Sequence, residues 1–186
     1  MTPRAAAEPL LPPAEIRVRR LSALGEGDIE GLARVLIDCV EGGASVSFLL
    51  PLPQAKARAF WRSLAAGVAS GARMVLVAED ASGTILGTVQ VLLEQAENQP
   101  HRADLAKMLV TPRARRRGIG ALLLAAAERE AAACGKTLLV LDTAAEEAAR
   151  LYARHGWQRC GTIPNYALWP DGTACATTVY FKALSS

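Results

Sequence analysis

Metal and redox chemistry find little to build on in this chain. Its 186 residues include four cysteines, Cys39, Cys134, Cys160 and Cys175, with no Cys-x-x-Cys pair among them. The two histidines, His101 and His155, add no metal-ligand spacing. Reduced structural thiols and no metal are the expectation. No apolar run approaches the roughly 18 residues that a membrane-crossing helix needs. The first residues also lack the charged, apolar and cleavage regions of a secretory signal. A cytoplasmic protein that does not engage a membrane is therefore expected. Aromatic residues make up 5% of the chain and the net charge is only +3. That balance is too mild, and the basic residues too poor in interleaved aromatics, to call for nucleic acid. No internal repeat is present. What the chain does have is 51% hydrophobic residues, enough for one continuous core and one domain.

Residues 1–14 carry four prolines and a run of alanines without periodicity, and read as a disordered tail. The domain is taken as 15–186. Alternation from Glu15 to Leu21 reads as a strand, and Ile29, Leu32, Leu36 and Val40 place a helix over Asp28 to Val40. A second helix is expected from Gln54 to Ala69. Arg73 to Glu79 and Ile85 to Leu93 form a hairpin around Asp80, Ser82 and Gly83, followed by a strand from Ala103 to Val110. A helix over Gly118 to Ala133, a strand over Thr137 to Leu141 and a helix over Ala144 to His155 come next. Strands over Trp157 to Ile163 and Ala176 to Phe181, about the Pro170-Asp171-Gly172 turn, close the chain. The class is α/β, with one strand-helix-strand crossover inside a sheet otherwise made of hairpins.

The crossover carries the chemistry. Four of the 21 basic residues lie between Arg113 and Arg117, in the run Pro112-Arg113-Ala114-Arg115-Arg116-Arg117-Gly118-Ile119-Gly120. This run joins a strand end to a helix start. There the first helical turn offers unpaired N–H groups, and glycine lets an anion approach them closely. Arginine adds charge-assisted donors. There is no Gly-x-x-x-x-Gly-Lys-Ser/Thr, and Leu123 stands where a Gly-x-Gly-x-x-Gly fingerprint needs its third glycine. A basic surface turn before a glycine helix start is the other reading of this stretch.

The run Leu109-Val110-x-Pro112-x-x-Arg115-x-x-Gly118-x-Gly120-x-Leu122-Leu123 resembles the acetyl-CoA motif of the GNAT N-acetyltransferases. Leu151-Tyr152-Ala153-Arg154-His155-Gly156-Trp157 is similar to a later segment of the same family. The resemblance implies the GNAT fold: a mixed central sheet of about six or seven strands with about four helices, splayed between its two central parallel strands. It also implies acetyl-CoA as co-substrate. The pantetheine arm would lie along Met108, Leu109 and Val110, and the pyrophosphate on Arg115, Arg116, Arg117, Gly118, Ile119, Gly120 and Ala121. Position 145 is Ala where many members place Asn, so that contact is lost or passes to Thr143. A homodimer is common in the family.

Amide formation needs a base for the amine and an acid for the departing thiolate. Tyr152 is the candidate acid, with Ala149, Ala148 and Ala145 forming a face of small side chains beside it, or else it is a core tyrosine. Asp142 ends a strand and is either poised over a cleft or caps the next helix. Asp104 has the i, i+2 parity of Ala106, Met108 and Val110 and should share their sheet face, or it pairs with Arg102 or Lys107. His101-Arg102-Ala103-Asp104, Lys107 to Val110, Leu141-Asp142-Thr143 and Asn165-Tyr166-x-x-x-Pro170-Asp171-Gly172 resemble the tabtoxin-resistance branch of the family. That likeness implies acid/base roles for Asp104, Asp142 and Tyr152, although the branch has Glu at the position of Asp104. The shorter side chain favours a relaying water.

The branch acts on a small amino-acid-like antimetabolite, so the resemblance implies the amine of a small polar molecule as acceptor. Ser45 to Phe48, Tyr166, Trp169 and Asp171 are candidate substrate walls, or ordinary loop packing. The alternative is a GNAT-fold module that binds acyl-CoA as a regulator without catalysis.

Overall fold

The computed structural model describes residues 16–184, so the expected tail at 1–14 lies outside them. The chain begins with strand β1 (Arg17–Arg20), helices α1 (Glu26–Glu41), α2 (Gln54–Ser63) and α3 (Ala65–Ala69), and strands β2 (Arg73–Glu79) and β3 (Ile85–Leu92). β4 (Arg102–Val110) follows, then a short 3-10 turn at Pro112–Ala114 and helix α4 (Ile119–Ala133). The chain closes with β5 (Leu138–Thr143), α5 (Glu146–Arg154), β6 (Gln158–Leu168) and β7 (Ala174–Ala183). One seven-stranded sheet runs in the order β1-β2-β3-β4-β5-β7-β6. All neighbours are antiparallel except β4 and β5, which are parallel because α4 crosses between them.

Both faces of this sheet are covered. Leu76, Leu105, Leu123, Leu124 and Leu139 belong to one core, under α4 and α5. Leu32, Leu36, Trp61, Val75, Val77 and Leu109 belong to the other, under α1 and α2. β2 feeds alternate residues to each, which is why it reads as an unbroken apolar run rather than an alternating one. Among the described residues no helix is long and apolar enough to cross a membrane.

The parallel pair is short. β4 and β5 are in register only at Arg102↔Leu138, Ala103↔Leu139 and Asp104↔Val140, yet β4 continues to Val110 and β5 to Thr143. Beyond Asp104 the two strands part. On its other side β4 carries a bulge: Gln90 pairs with Ala106 and Thr88 with Leu109, so Lys107 and Met108 together oppose Val89. Lys107 takes a left-handed backbone with φ 50.

The bulge corrects one expectation. Ala103 and Leu105 join the core under α4; past the extra residue Met108 and Val110 pack on that same core, while Leu109 joins the other. Asp104 therefore does not share a face with Met108 and Val110, because one inserted residue reverses the alternation. Two further differences are local. The helix expected over Gln54 to Ala69 breaks at Leu64, whose N–H bonds the Trp61 carbonyl at 3.1 Å. β6 runs five residues past Ile163, because Pro164 and Asn165 (φ 53) are absorbed in a second register shift instead of ending the strand.

At Gly87, opposite Val110, an added Cβ would sit 2.8 Å from the Leu109 carbonyl and 3.1 Å from Leu123. Gly87→Val is expected to lower stability by about 1–3 kcal/mol through this overlap, read as a reduced urea midpoint.

Candidate active site

A cleft of about 1180 Å³ opens where β4 and β5 part. It is lined by β4 from Leu105 to Val110, by Leu141 to Thr143, by the start of α4 and by one side of α5.

At one end lies the basic loop. Arg115, Arg116, Gly118, Ile119, Gly120 and Ala121 all line the cleft. Arg116 (φ 62) and Gly118 (φ 77) are both left-handed, a backbone form that gathers successive N–H groups into an anion-binding nest. No side chain caps the first turn of α4, whose N–H groups stay available. The two glycines serve different ends. An added Cβ at Gly118 meets nothing within 4 Å, so glycine is needed there for its φ alone. At Gly120 it would lie 3.1 Å from Leu151, so glycine there lets α5 pack onto α4. Arg117 differs from its neighbours. With Arg113 it lines a separate small cavity beside Asp80 and Thr84, behind the cleft.

Met108, Leu109, Val110, Thr143 and Tyr152 line the middle of the cleft, with Ala145 and Ala148 beside them; Ala149 packs into the core. Tyr152 is 4% exposed, its ring tilted against Trp157 and Tyr180 at 5.8 and 5.9 Å. Burial, and secondarily the charge of Asp142, push its phenol well above the usual tyrosine range. It stays protonated at neutral pH.

Asp142 lines the same cleft, and Thr177 of β7 donates to its Oδ2 at 2.7 Å. It does not cap α5. Thr143 Oγ1 accepts the Ala145 N–H at 3.1 Å and makes that turn itself. Asp104 lies outside the cleft lining. Its Oδ2 accepts from Arg102 at 3.2 Å and from Gln95 at 3.4 Å, the ion pair anticipated as its other reading. The fold thus brings Tyr152 and Asp142 to one cleft and leaves Asp104 beneath it.

Of the candidate walls, Ser45, Val46 and Trp169 line the cleft; Ser47, Phe48, Tyr166 and Asp171 do not. Asp171 holds its own turn through Thr173, and Phe48 packs edge-on against Phe60. Two cleft residues escape the sequence reading. Lys107 figures in the sequence pattern as a partner for Asp104 and as part of the stretch from Lys107 to Val110, without a role of its own, although a lysine among the apolar residues from Leu105 to Val110 is a signal. Thr177 gives none, since its place beside Asp142 depends on the pairing of β5 with β7.

The model of the acetyltransferase (GNAT) domain family matches residues 71–159, a span that holds β4, the basic loop, Asp142 and Tyr152. Over these residues, just under half of the chain, the sequence is similar to GNAT acetyltransferase domains. It is 29% identical over 130 residues to an uncharacterized N-acetyltransferase from the hisH-hisA intergenic region of Azospirillum brasilense, covering 69% of this chain and 75% of that one. An N-acetyltransferase from Staphylococcus aureus Mu50 superposes with a TM-score of 0.75 at 18% identity, covering 92% of this chain and 100% of the other. A GNAT phosphinothricin acetyltransferase from Sinorhizobium meliloti in complex with AcCoA superposes with a TM-score of 0.73 at 18% identity, covering 93% and 89%. At such identities the superpositions speak for the GNAT fold, here with its parted β4 and β5.

The cleft also contains a thiol. Cys39 is 1% exposed and its Sγ donates to the Val110 carbonyl at 3.4 Å; burial raises its pKa to about 11. It is a poor nucleophile at neutral pH. Cys134 and Cys160 are exposed, whereas Cys175 is buried. In a thiol titration of the native protein at pH 7.5 (~neutral), Cys134 and Cys160 are expected to react first, with Cys39 and Cys175 following only on unfolding, as peptide mapping would resolve.

Proposed function

We propose that this protein transfers an acetyl group from acetyl-CoA to the amine of a small polar, amino-acid-like molecule by direct attack in a ternary complex. One observation carries the reading: Asp142 and Tyr152 face the same gap between β4 and β5, whose far end is the basic loop and its anion nest. The donors suit acetyl-CoA. The nest, Arg115 and Arg116 match a pyrophosphate, and the small side chains of Ala145 and Ala148 line the cleft beside Tyr152, where a pantetheine arm would pass. Bound there, acetyl-CoA supplies the thioester carbonyl. Its supply and a free small-molecule acceptor fit action in the cytoplasm.

The chain's own residues would then do the following. Asp142, oriented by Thr177, takes the proton of the attacking amine, directly or through one water. The bulge keeps Lys107 and Met108 out of pairing with β3, which leaves backbone N–H capacity where negative charge builds on the carbonyl oxygen. Tyr152 gives its proton to the departing thiolate. Asp104 is assigned no direct contact with the amine in this scheme, because it lies outside the cleft lining and is held by Arg102 and Gln95.

Calorimetry with acetyl-CoA tests the first half. Gly118→Val forces a branched side chain into a left-handed backbone, and acetyl-CoA affinity is expected to fall about 10- to 100-fold, the equivalent of about 1–3 kcal/mol. Failure of the unaltered protein to bind acetyl-CoA would sink the proposal. Binding without turnover of any amine would leave a regulatory acyl-CoA-binding module in its place.

Acid/base assignment is tested by turnover. Tyr152→Phe and Asp142→Asn are each expected to lower kcat by at least about 100-fold with little change in acetyl-CoA binding, while Asp104→Asn stays within about tenfold. Equal losses for Asp104→Asn and Asp142→Asn would return Asp104 to a direct role.

A further inference from the structure

Lys107 is a half-buried cation with no counterion among the described residues. Its Nζ donates to Ser47 Oγ at 3.0 Å and lies 5.6 Å over the Phe60 ring, and it has no ion-pair partner among the described residues. Burial depresses its pKa, the nearby Arg73 depresses it further, and Asp142 opposes them. Ammonium groups of this kind usually find a carboxylate. The one charge of opposite sign that acts on it, Asp142, is engaged by Thr177.

The backbone around this contact is unusual as well. Ser47 (φ 76) and Lys107 (φ 50) are two of the four non-glycine residues with positive φ among those described, and they are hydrogen-bonded to each other. Sparse backbone conformations persist where the surroundings hold them, and they gather at ligand sites. The bulge that reverses β4 is what turns the lysine into the cleft, beside Asp142 and beneath the loop that follows α1. A cation and a carboxylate thus border the same volume.

We propose that Lys107, with Ser47 beside it, receives an anionic group of the acceptor, so that this cleft selects an amine carrying its own carboxylate or an equivalent oxyanion over an amine without one. The inference rests on the acetyltransferase reading and deepens it. Asp142 meets the amine, Lys107 meets the acid group, and the pair is complementary to an amino acid in its zwitterionic form. A lysine rather than an arginine suits this place. The ammonium is compact and need not fit a fixed fork, so it tolerates a planar carboxylate or a tetrahedral oxyanion alike.

The test compares acids with their own amides. Standard amino acids, their carboxamides, and analogues with a phosphonate or sulfonate in place of the carboxylate are assayed as acceptors with the intact protein and with Lys107→Met and Lys107→Arg. The unaltered protein is expected to favour the acid over its amide in kcat/KM. Lys107→Met should cut that acid-to-amide ratio about 10- to 100-fold, the usual range for a hydrogen bond to a charged group, mostly through KM. Lys107→Arg should restore part of it.

Folding is controlled independently. A protonated lysine held below its ordinary pKa costs the folded state stability at neutral pH, and that cost fades as pH rises from the depressed pKa to the ordinary one. Lys107→Met should therefore resist urea at least as well as the unaltered protein. An unchanged acid-to-amide ratio in Lys107→Met overturns the inference, as does acetylation confined to amines without an acid group. Acetyl-CoA binding without turnover of any anionic amine also overturns it and leaves the cofactor site standing. If acetyl-CoA itself does not bind, the enzyme reading fails first.

Discussion

Everything in this protein's site follows from two neighbouring strands that stop pairing. After Asp104 and Val140 the parallel ladder between β4 and β5 ends, although both strands continue. A sheet interior normally satisfies its own backbone groups, and a gap in it leaves donors and acceptors that must be met by something else. The covering helices do not close the opening. α4 begins at one end of it and α5 lies along one side, so a continuous cleft runs from a helix N-terminus to the middle of the sheet. The bulge at Lys107 and Met108 releases backbone on the facing edge of the same strand.

Strands, helices and their order were legible because hydrophobic period and turn residues agree along most of the chain. β2, β3 and α4 are the clearest cases. The basic loop was legible for a second reason, since Arg115 to Gly120 sits at a strand-to-helix junction, where the position itself has electrostatic meaning. What could not be read is whatever depends on counting across strands. Asp104 was placed on the face of Met108 by alternation, and one extra residue at Lys107 undoes that inference. No local pattern announces the bulge, because lysine is an ordinary strand-edge residue until it takes a left-handed φ. The same limit hid Thr177 and cut β6 short at Pro164.

At Asp142 the tertiary structure removes one of two local alternatives, since its carboxylate does not cap α5. Two hydroxyls settle its environment: Thr143 makes the turn into α5, and Thr177 donates to the carboxylate.

The walls of the cleft also have a mechanical side. The segment after α1 is tied to the β6–β7 hairpin by three hydrogen bonds, one of them between Ser45 Oγ and Cys175 Sγ at 3.5 Å. Ser45 Oγ donates to the Leu168 carbonyl at 2.8 Å, and Leu50 N–H donates to the Pro170 carbonyl at 2.9 Å. Segments 123 positions apart in the chain thus behave as one panel. Lengthening the hairpin turn would drag Ser47 away from Lys107, and shortening the loop would pull on Trp169. A lineage that changes what this wall admits has to edit both segments together.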